Sequence, residues 1–246
     1  MRRFFISPGS IANGAIIVTG DLFRHIATVL RLKVGARLLL ADGTGREFVG
    51  HIREIGAEQL LFAVEDERLT PMPTAIPRIT LYQGLPKGDK MELILQKGTE
   101  LGIDEIVPFV AARSIPRIRG EREEKRLARW QRVAEEAARQ SCRGSIPRIA
   151  LADSLEEVLR LSRHSVKLLL WEKEQTNRLR QTLAGFTAPE SVAILIGPEG
   201  GLSTEEAASA ISGGFTPVSL GTRIVRTETA GFVMLAILQF LWGDIG

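Results

Sequence analysis

Cysteine is nearly absent: Cys142 stands alone among 246 residues, so no intramolecular disulfide can form. The three histidines, His25, His51 and His164, are too scattered to offer the paired spacing of a zinc site. A disulfide scaffold and a structural zinc centre are excluded, and no metal is expected. No apolar run reaches the roughly 20 residues needed to cross a bilayer, and Arg2-Arg3 is not followed by the apolar core of a signal peptide. No membrane association is expected, and the cytoplasm is the expected compartment. Charge of one sign is lacking too, since 32 basic against 29 acidic side chains leave only +3, too little to identify a polyanionic partner. What is present suits a globular protein: 44% hydrophobic and 25% charged residues can build a sizeable core. The length accommodates one large domain or two unequal ones.

Residues 65–77, EDERLTPMPTAIP, set three prolines among charged and small residues, a composition that resists helix and central strand. A linker is read there, with domain boundaries at 1–70, 71–77 and 78–246. Before it, aliphatic runs at Ala15–Val18, Arg37–Ala41, Glu47–Ile52 and Leu60–Val64 alternate with turn signals, including Asp42-Gly43-Thr44-Gly45, and predict a small β-barrel. One helix interrupts it, with Asp21 as N-cap and Leu22, Ile26, Val29 and Leu30 as its apolar face.

Beyond the linker, strand-length runs (Ile79–Gln83, Glu105–Val110, Val166–Trp171, Val192–Ile196, Val218–Leu220) alternate with helical periods. The helices are expected at Lys90–Leu101, Glu121–Ser141, Ser154–Leu161, Asn177–Leu183, Ser203–Ser212 and Thr227–Leu241. Alternation of this kind predicts an α/β domain with a mostly parallel sheet. Ser203 and Glu206 form an S-x-x-E capping box. From Thr229 through Trp242 there is no charge, and a helix apolar on every side must be buried. Phe232 and Leu235 are its outward-facing candidates for a subunit interface, with Gly231 permitting close packing.

Residues 71–150 hold 15 basic against 10 acidic side chains, whereas residues 191–246 hold 2 against 5. On the helix from Glu121 the basic residues are ordered: Arg122, Lys125, Arg129, Arg132 and Arg139 share one side, and Leu127, Trp130, Ala134, Ala137, Ala138 and Ser141 the other. A solvated face interleaved with glutamates explains this helix alone. Lys87, Lys90, Lys97, Arg113, Arg117, Arg119 and Arg143 on nearby segments add enough charge for a phosphate-binding surface if they converge.

Two segments carry the chemistry. Val192 through Gly201 is a buried strand running into Gly197-Pro198-Glu199-Gly200-Gly201 and a capped helix, the place where open α/β sheets bind ligands. It lacks the lysine of a Walker loop and the spacing of a dinucleotide fingerprint, and Glu199 repels phosphate. Bare backbone there suits an adenine and ribose without a polyphosphate. The second segment, Ser219 through Ala230, is a strand end, a loop and a helix start, with Thr227 as N-cap and Glu228 complementing the helix dipole. Arg226 opposes that dipole at a cost of about 0.3–1 kcal/mol. Such a placement points to an anion held there, or to a pair with Glu228 or Glu199.

These two segments closely resemble the SPOUT class of RNA methyltransferases, and specifically the bacterial 16S ribosomal RNA uracil-N3 methyltransferase family. Further similarities are Arg2-Arg3-Phe4-Phe5, His25 through Arg31, Lys97-Gly98-Thr99-Glu100-Leu101-Gly102, Glu136 through Arg143, and Trp171-Glu172. The pattern departs at Arg24, which stands where the family carries a second histidine. The resemblance implies a PUA-like β-barrel followed by a SPOUT α/β methyltransferase domain with a C-terminal trefoil knot. It further implies S-adenosylmethionine as cofactor, a homodimer, and methylation of N3 of a uridine near the 3′ end of 16S rRNA in the small ribosomal subunit. By resemblance Leu170, Trp171, Gly197, Pro198, Glu199, Gly200, Gly201, Leu220, Gly221, Ile224 and Arg226 surround the cofactor. Arg2, Arg3, Arg31, Lys87, Lys97, Arg113, Arg129, Arg132, Arg139 and Arg143 are the expected RNA contacts.

For catalysis, Arg226 suits stabilisation of the uracil anion formed as the N3 proton leaves, with Glu228 as the alternative base. Two rival readings stay open. A SPOUT enzyme of the ribose 2′-hydroxyl would share these motifs, and a non-catalytic RNA-binding module would share the barrel and the basic stripe.

Overall fold

The computed structural model describes residues 1–12, 15–69, 77–114 and 120–245. Most of the linker, and Arg117 and Arg119, lie outside the described residues. The chain forms two compact units: the first takes in the described residues up to 69 together with Ala138–Ile146, and the second takes in the rest.

The first unit is a six-stranded half-barrel. Its strands are β1 (Arg2–Phe5), β2 (Ile11–Ala12), β3 (Ala15–Thr19), β4 (Arg37–Ala41), β5 (Arg46–Ile55) and β6 (Gln59–Leu69), in the order β1-β4-β5-β6-β3-β2. Only β1 and β4 pair in parallel. Alternate residues face inward and form a core that includes Phe4, Ile16, Leu38, Leu40, Phe48, Ile52 and Phe62. Between Val49 and Gly50 the β5–β6 register shifts, and a Cβ on Gly50 would fall 1.9 Å from the Ala63 carbonyl oxygen, so glycine is required at this bulge. The helix α1 (Gly20–Arg24) continues into a π turn at His25–Val29. Its N-cap is Thr19 rather than Asp21, whose carboxylate instead accepts from Arg24 one turn on. The π turn widens the spiral, and Val29, expected on the buried face, is exposed.

The second unit is a six-stranded parallel sheet in the order β12-β10-β11-β7-β8-β9, with β7 (Arg78–Gly84), β8 (Glu105–Phe109), β9 (Arg148–Ile149), β10 (Val166–Leu170), β11 (Ser191–Ile196) and β12 (Thr216–Val218). The expected strand at Val218–Leu220 ends at Val218, because Ser219 is drawn into backbone bonds with Asn177 and Leu179. Buried clusters line both faces of the sheet, as near-continuous apolar strands require. The helices are α2 (Lys90–Glu100), α3 (Glu121–Gln140), α4 (Leu155–Leu161), α5 (Leu179–Leu183), α6 (Thr204–Ser212) and α7 (Thr227–Trp242). On α3, Trp130, Ala134, Ala137 and Ala138 are buried as the pattern predicts, whereas Ser141 lies past the helix end and is exposed. α7 packs against α2. Its Leu235 is wholly buried and Phe232 partly so, which corrects the expectation that both face outward; the exposed apolar residues are Phe240 and Leu241.

Candidate cofactor and catalytic site

Parallel pairing brings the carboxyl ends of four strands to one edge, since Ile196 lies opposite both Leu170 and Gln83, and Val218 opposite Leu170. Everything the sequence marks as chemical leaves the sheet there.

The turn after β11 is fixed from several sides. Gly201 has φ +68° and its amide donates to the Pro198 carbonyl at 2.9 Å, so the chain reverses before the Ser203–Glu206 capping box starts α6. A Cβ on Gly197 would lie 2.9 Å from the Leu202 nitrogen, and one on Gly84 would lie 2.6 Å from the Pro198 nitrogen. The Gly197 carbonyl accepts from the Thr227 hydroxyl at 2.7 Å and from the Gln83 amide at 3.3 Å, while that same amide donates to Thr227 Oγ1 at 2.8 Å. The Glu199 carboxylate accepts from the Lys87 backbone amide at 3.0 Å and Lys90 Nζ at 2.8 Å. Arg113 donates to the Gly200 carbonyl at 2.7 Å. A simple tight turn needs none of these ties; together they hold an edge of bare backbone in one shape.

Opposite this turn, Trp171 follows β10 half-buried, and its Nε1 is buried without a hydrogen-bond partner. Glu172 comes so close to Gly201 that a Cβ there would meet its Oε1 at 2.5 Å. Leu170 and Leu220 pack against the adjoining core. Gly221 has φ +119°, and the loop it opens carries Ile224, 86% exposed, and Arg226 into solvent.

Thr227 is the first residue of α7 and not its cap. Arg226 takes the N-cap position in extended conformation, which frees the Thr227 hydroxyl to tie α7 to Gly197. Among the described residues Arg226 makes no ion pair: Glu199 is taken by Lys90, and Glu228 Oε2, buried and without a hydrogen bond, has the same ammonium 3.9 Å away. An uncompensated guanidinium therefore stands at the positive end of a helix, beside the glycine turn.

Gln83, Lys90 and Thr227 are the structural members the sequence reading left out of the site. A lone glutamine among the aliphatic residues of β7 was the available signal. Of the expected RNA contacts, Arg2, Arg31, Lys87 and Arg132 are exposed. The Arg3 guanidinium is instead committed within the first unit, to Glu47 and the Cys142 carbonyl. Lys97 pairs with Glu100, Arg129 with Glu92, and Arg143 with the Ser145 hydroxyl; Arg139 is partly buried. Only Lys87 and Arg113 of this set adjoin the glycine turn.

Burial alone would raise the Glu199 carboxyl, but hydrogen bonds from Lys90 and from backbone amides outweigh it and hold the group below the ordinary value of 4.5. A carboxyl depressed in the folded state adds stability above its unfolded pKa and loses it as pH falls through the folded one. The wild type is therefore expected to melt above Glu199→Gln at neutral pH, with the gap narrowing as pH falls below the ordinary carboxyl value and closing below the folded one. Thermal scans across pH check this, and a constant gap would contradict it.

Residues 73–239 match the RNA methyltransferase domain family, and residues 18–65 the RNA methyltransferase PUA domain. The chain is 30% identical to ribosomal RNA small subunit methyltransferase E of Bacillus subtilis, over 98% of this chain and 96% of that protein. The chain belongs to the ribosomal RNA small subunit methyltransferase E family. A second family member, from Mycobacterium tuberculosis, is 32% identical over 97% of this chain and 91% of its own length. Among solved structures, the family member from Neisseria gonorrhoeae, bound to S-adenosyl methionine, superposes with a TM-score of 0.85 at 29% identity over the whole of both chains. A Legionella pneumophila methyltransferase in complex with the same cofactor gives 0.85 at 30% identity, covering 97% of this chain and 96% of its own. The methyltransferase E fold is thus a PUA-like unit joined to a SPOUT-type methyltransferase unit.

Proposed function

We propose that this chain transfers a methyl group from S-adenosylmethionine to N3 of a uridine near the 3′ end of 16S rRNA in the small ribosomal subunit, in the cytoplasm. The uncompensated Arg226 at the head of α7 is the observation that carries this reading. Residues 1–70 are assigned to RNA docking, 71–77 to the linker and 78–246 to methyl transfer, with the trefoil knot in the C-terminal part.

The residues fit the cofactor. Gly84, Gly197 and Gly201 each stand where a Cβ would strike the turn's own atoms or Glu172, so the turn keeps a bare backbone edge, and the buried Trp171 Nε1 and Gln83 Oε1 are polar atoms without partners. Leu170, Trp171, the Gly197–Gly201 turn, Leu220, Gly221 and Ile224 would hold the adenosine by backbone and apolar contact. The cofactor, when bound, supplies a methyl on a cationic sulfur.

Arg226 acts on the other partner. As N3 of uracil loses its proton, negative charge spreads to the flanking carbonyl oxygens, and a guanidinium beside one of them stabilises it at the moment it develops. The Thr227–Gly197–Gln83 bonds hold the head of α7 against the cofactor turn, so both reactants are aligned by one rigid element. Glu228, whose buried Oε2 has no hydrogen bond and lies 3.9 Å from Lys90 Nζ, is the candidate proton acceptor.

Calorimetric titration with S-adenosylmethionine, followed by nucleoside analysis of methylated small-subunit particles, tests the reading. N3-methyluridine is expected; a 2′-O-methyl product would favour the ribose-modifying alternative, and no cofactor binding would favour an RNA-binding module. We also infer a homodimer that covers Phe240 and Leu241, exposed on α7. Phe240→Lys is expected to convert a dimer of the 27.0 kDa chain into monomers on light scattering, and a monomeric wild type with full activity would refute it.

A further inference from the structure

The second unit carries a cleft of about 480 Å³ between the start of α2 and the first turns of α3. Its floor is apolar, made by Leu85, Pro86, Met91 and Trp130. The Arg126 guanidinium lies over the Trp130 ring, 5.7 Å from its centroid. Asp89 opens onto the same space. It occupies the N-cap of α2, where an aspartate ordinarily accepts from the first turn, yet it makes no side-chain cap bond and has no ion pair among the described residues. The other charges nearby are spent on each other, Glu92 on Arg129 and Lys125 on Glu121. Beside Glu92, Arg129 and Lys125, which also line the cleft, what faces it is one flat cation on an indole and one carboxylate without an ion pair among the described residues.

That combination suits a nucleobase better than a phosphate. An unstacked base lies against aromatic and guanidinium planes, whereas a free carboxylate repels a phosphate and accepts from a base edge. Guanine alone among the RNA bases presents two adjacent donors, N1–H and the exocyclic amine, to both oxygens of one carboxylate. Uracil offers a single donor between two carbonyls, which the carboxylate repels. The loop at the cleft is also the loop whose Lys87 amide holds Glu199, so the same short segment borders the cleft and is tied to the glycine turn.

We propose that this cleft binds an unpaired guanine flanking the methylated nucleotide, with Arg126 stacking on the base and Asp89 reading its donor edge. The proposal rests on the reading of the chain as an RNA methyltransferase and adds a base preference to it.

Binding of fluorescently labelled RNA hexamers tests it, using an all-uridine hexamer and the same hexamer with one internal guanine. The wild type is expected to bind the guanine hexamer about tenfold more tightly, the discrimination of one bidentate base contact. Asp89→Asn keeps the shape and capping ability of the residue and is expected to erase the preference while leaving all-uridine affinity in place. Arg126→Ala is expected to weaken guanine binding with Asp89 intact. Equal affinity of the wild type for both hexamers, including no binding of either, overturns the proposal, as does an unchanged preference in Asp89→Asn. Photo-crosslinking of a thioguanine hexamer is expected to label peptides containing residues 85–91 or 125–130, and labelling elsewhere overturns it. Nucleoside analysis of wild-type product separates the two readings: a methyl group on another atom defeats the proposed reaction and leaves the guanine preference standing.

Discussion

Arg226→Ala is expected to lower methyl-transfer turnover by about 10²–10³-fold, the loss typical of removing one preorganised group that stabilises charge in a transition state. Cofactor affinity should change little, because the guanidinium projects into solvent beside the glycine turn and holds no part of it. The uncharged uracil of the ground state gains little from the cation, so the effect belongs in kcat rather than KM. Arg226→Lys is expected to recover part of the rate, a point charge replacing a planar fork. Single-turnover kinetics with calorimetry of cofactor binding checks this, and wild-type turnover in the alanine variant would remove Arg226 from the mechanism.

Gly84→Ala is expected to be a strongly damaging one-carbon change in the second unit. The added Cβ would lie 2.6 Å from both the nitrogen and Cδ of Pro198 and 2.9 Å from the Gly197 carbonyl carbon, so backbone must move. Overpacking of this kind costs about 1–3 kcal/mol, and in a chain of this size each kcal/mol lowers Tm by about 2–4 °C. The displaced atoms belong to the cofactor turn, so S-adenosylmethionine affinity is expected to fall at least about tenfold, near 1.4 kcal/mol. Gly231→Ala is the contrast. Its Cβ would sit 3.6 Å from Leu81 Cδ2, an ordinary contact, and alanine is the better helix former by about 1 kcal/mol. Melting and cofactor titration of both variants separate the cases, and a Gly84→Ala protein indistinguishable from wild type would contradict the packing.

The periodicities made much of this legible, because long apolar strands and amphipathic helices carry their burial in the local pattern. The runs at Ile79–Gln83 and Val192–Ile196 and the stripe on α3 are strands and a helix where the sequence places them. β1, β2 and β9 escaped, since a strand of four residues or fewer gains its identity from its partner: β1 pairs with β4 across more than thirty residues of chain. Leu235 was misread for a related reason. A helix apolar all round gives no inner face to periodicity, and only the docking of α7 on α2 decides which side is covered. At the site, Gly197 through Gly201 and Arg226 stand out because glycines and a cation against a dipole violate local preference. Thr227 fits the ordinary cap pattern so well that its tie to Gly197 is visible only in three dimensions.

The first unit draws on two separate stretches of chain, but only one of them supplies its core, and this bears on the order in which it assembles. Arg3 near the N-terminus donates to the Cys142 carbonyl, and Thr44 bridges to Ser145, so the segment after α3 adds polar ties to a barrel whose strands and core are already supplied. An N-terminal domain ordinarily folds while the rest of the chain is still emerging. Here every strand and core residue of the half-barrel precedes residue 70, so that ordinary order holds and the segment after α3 joins last.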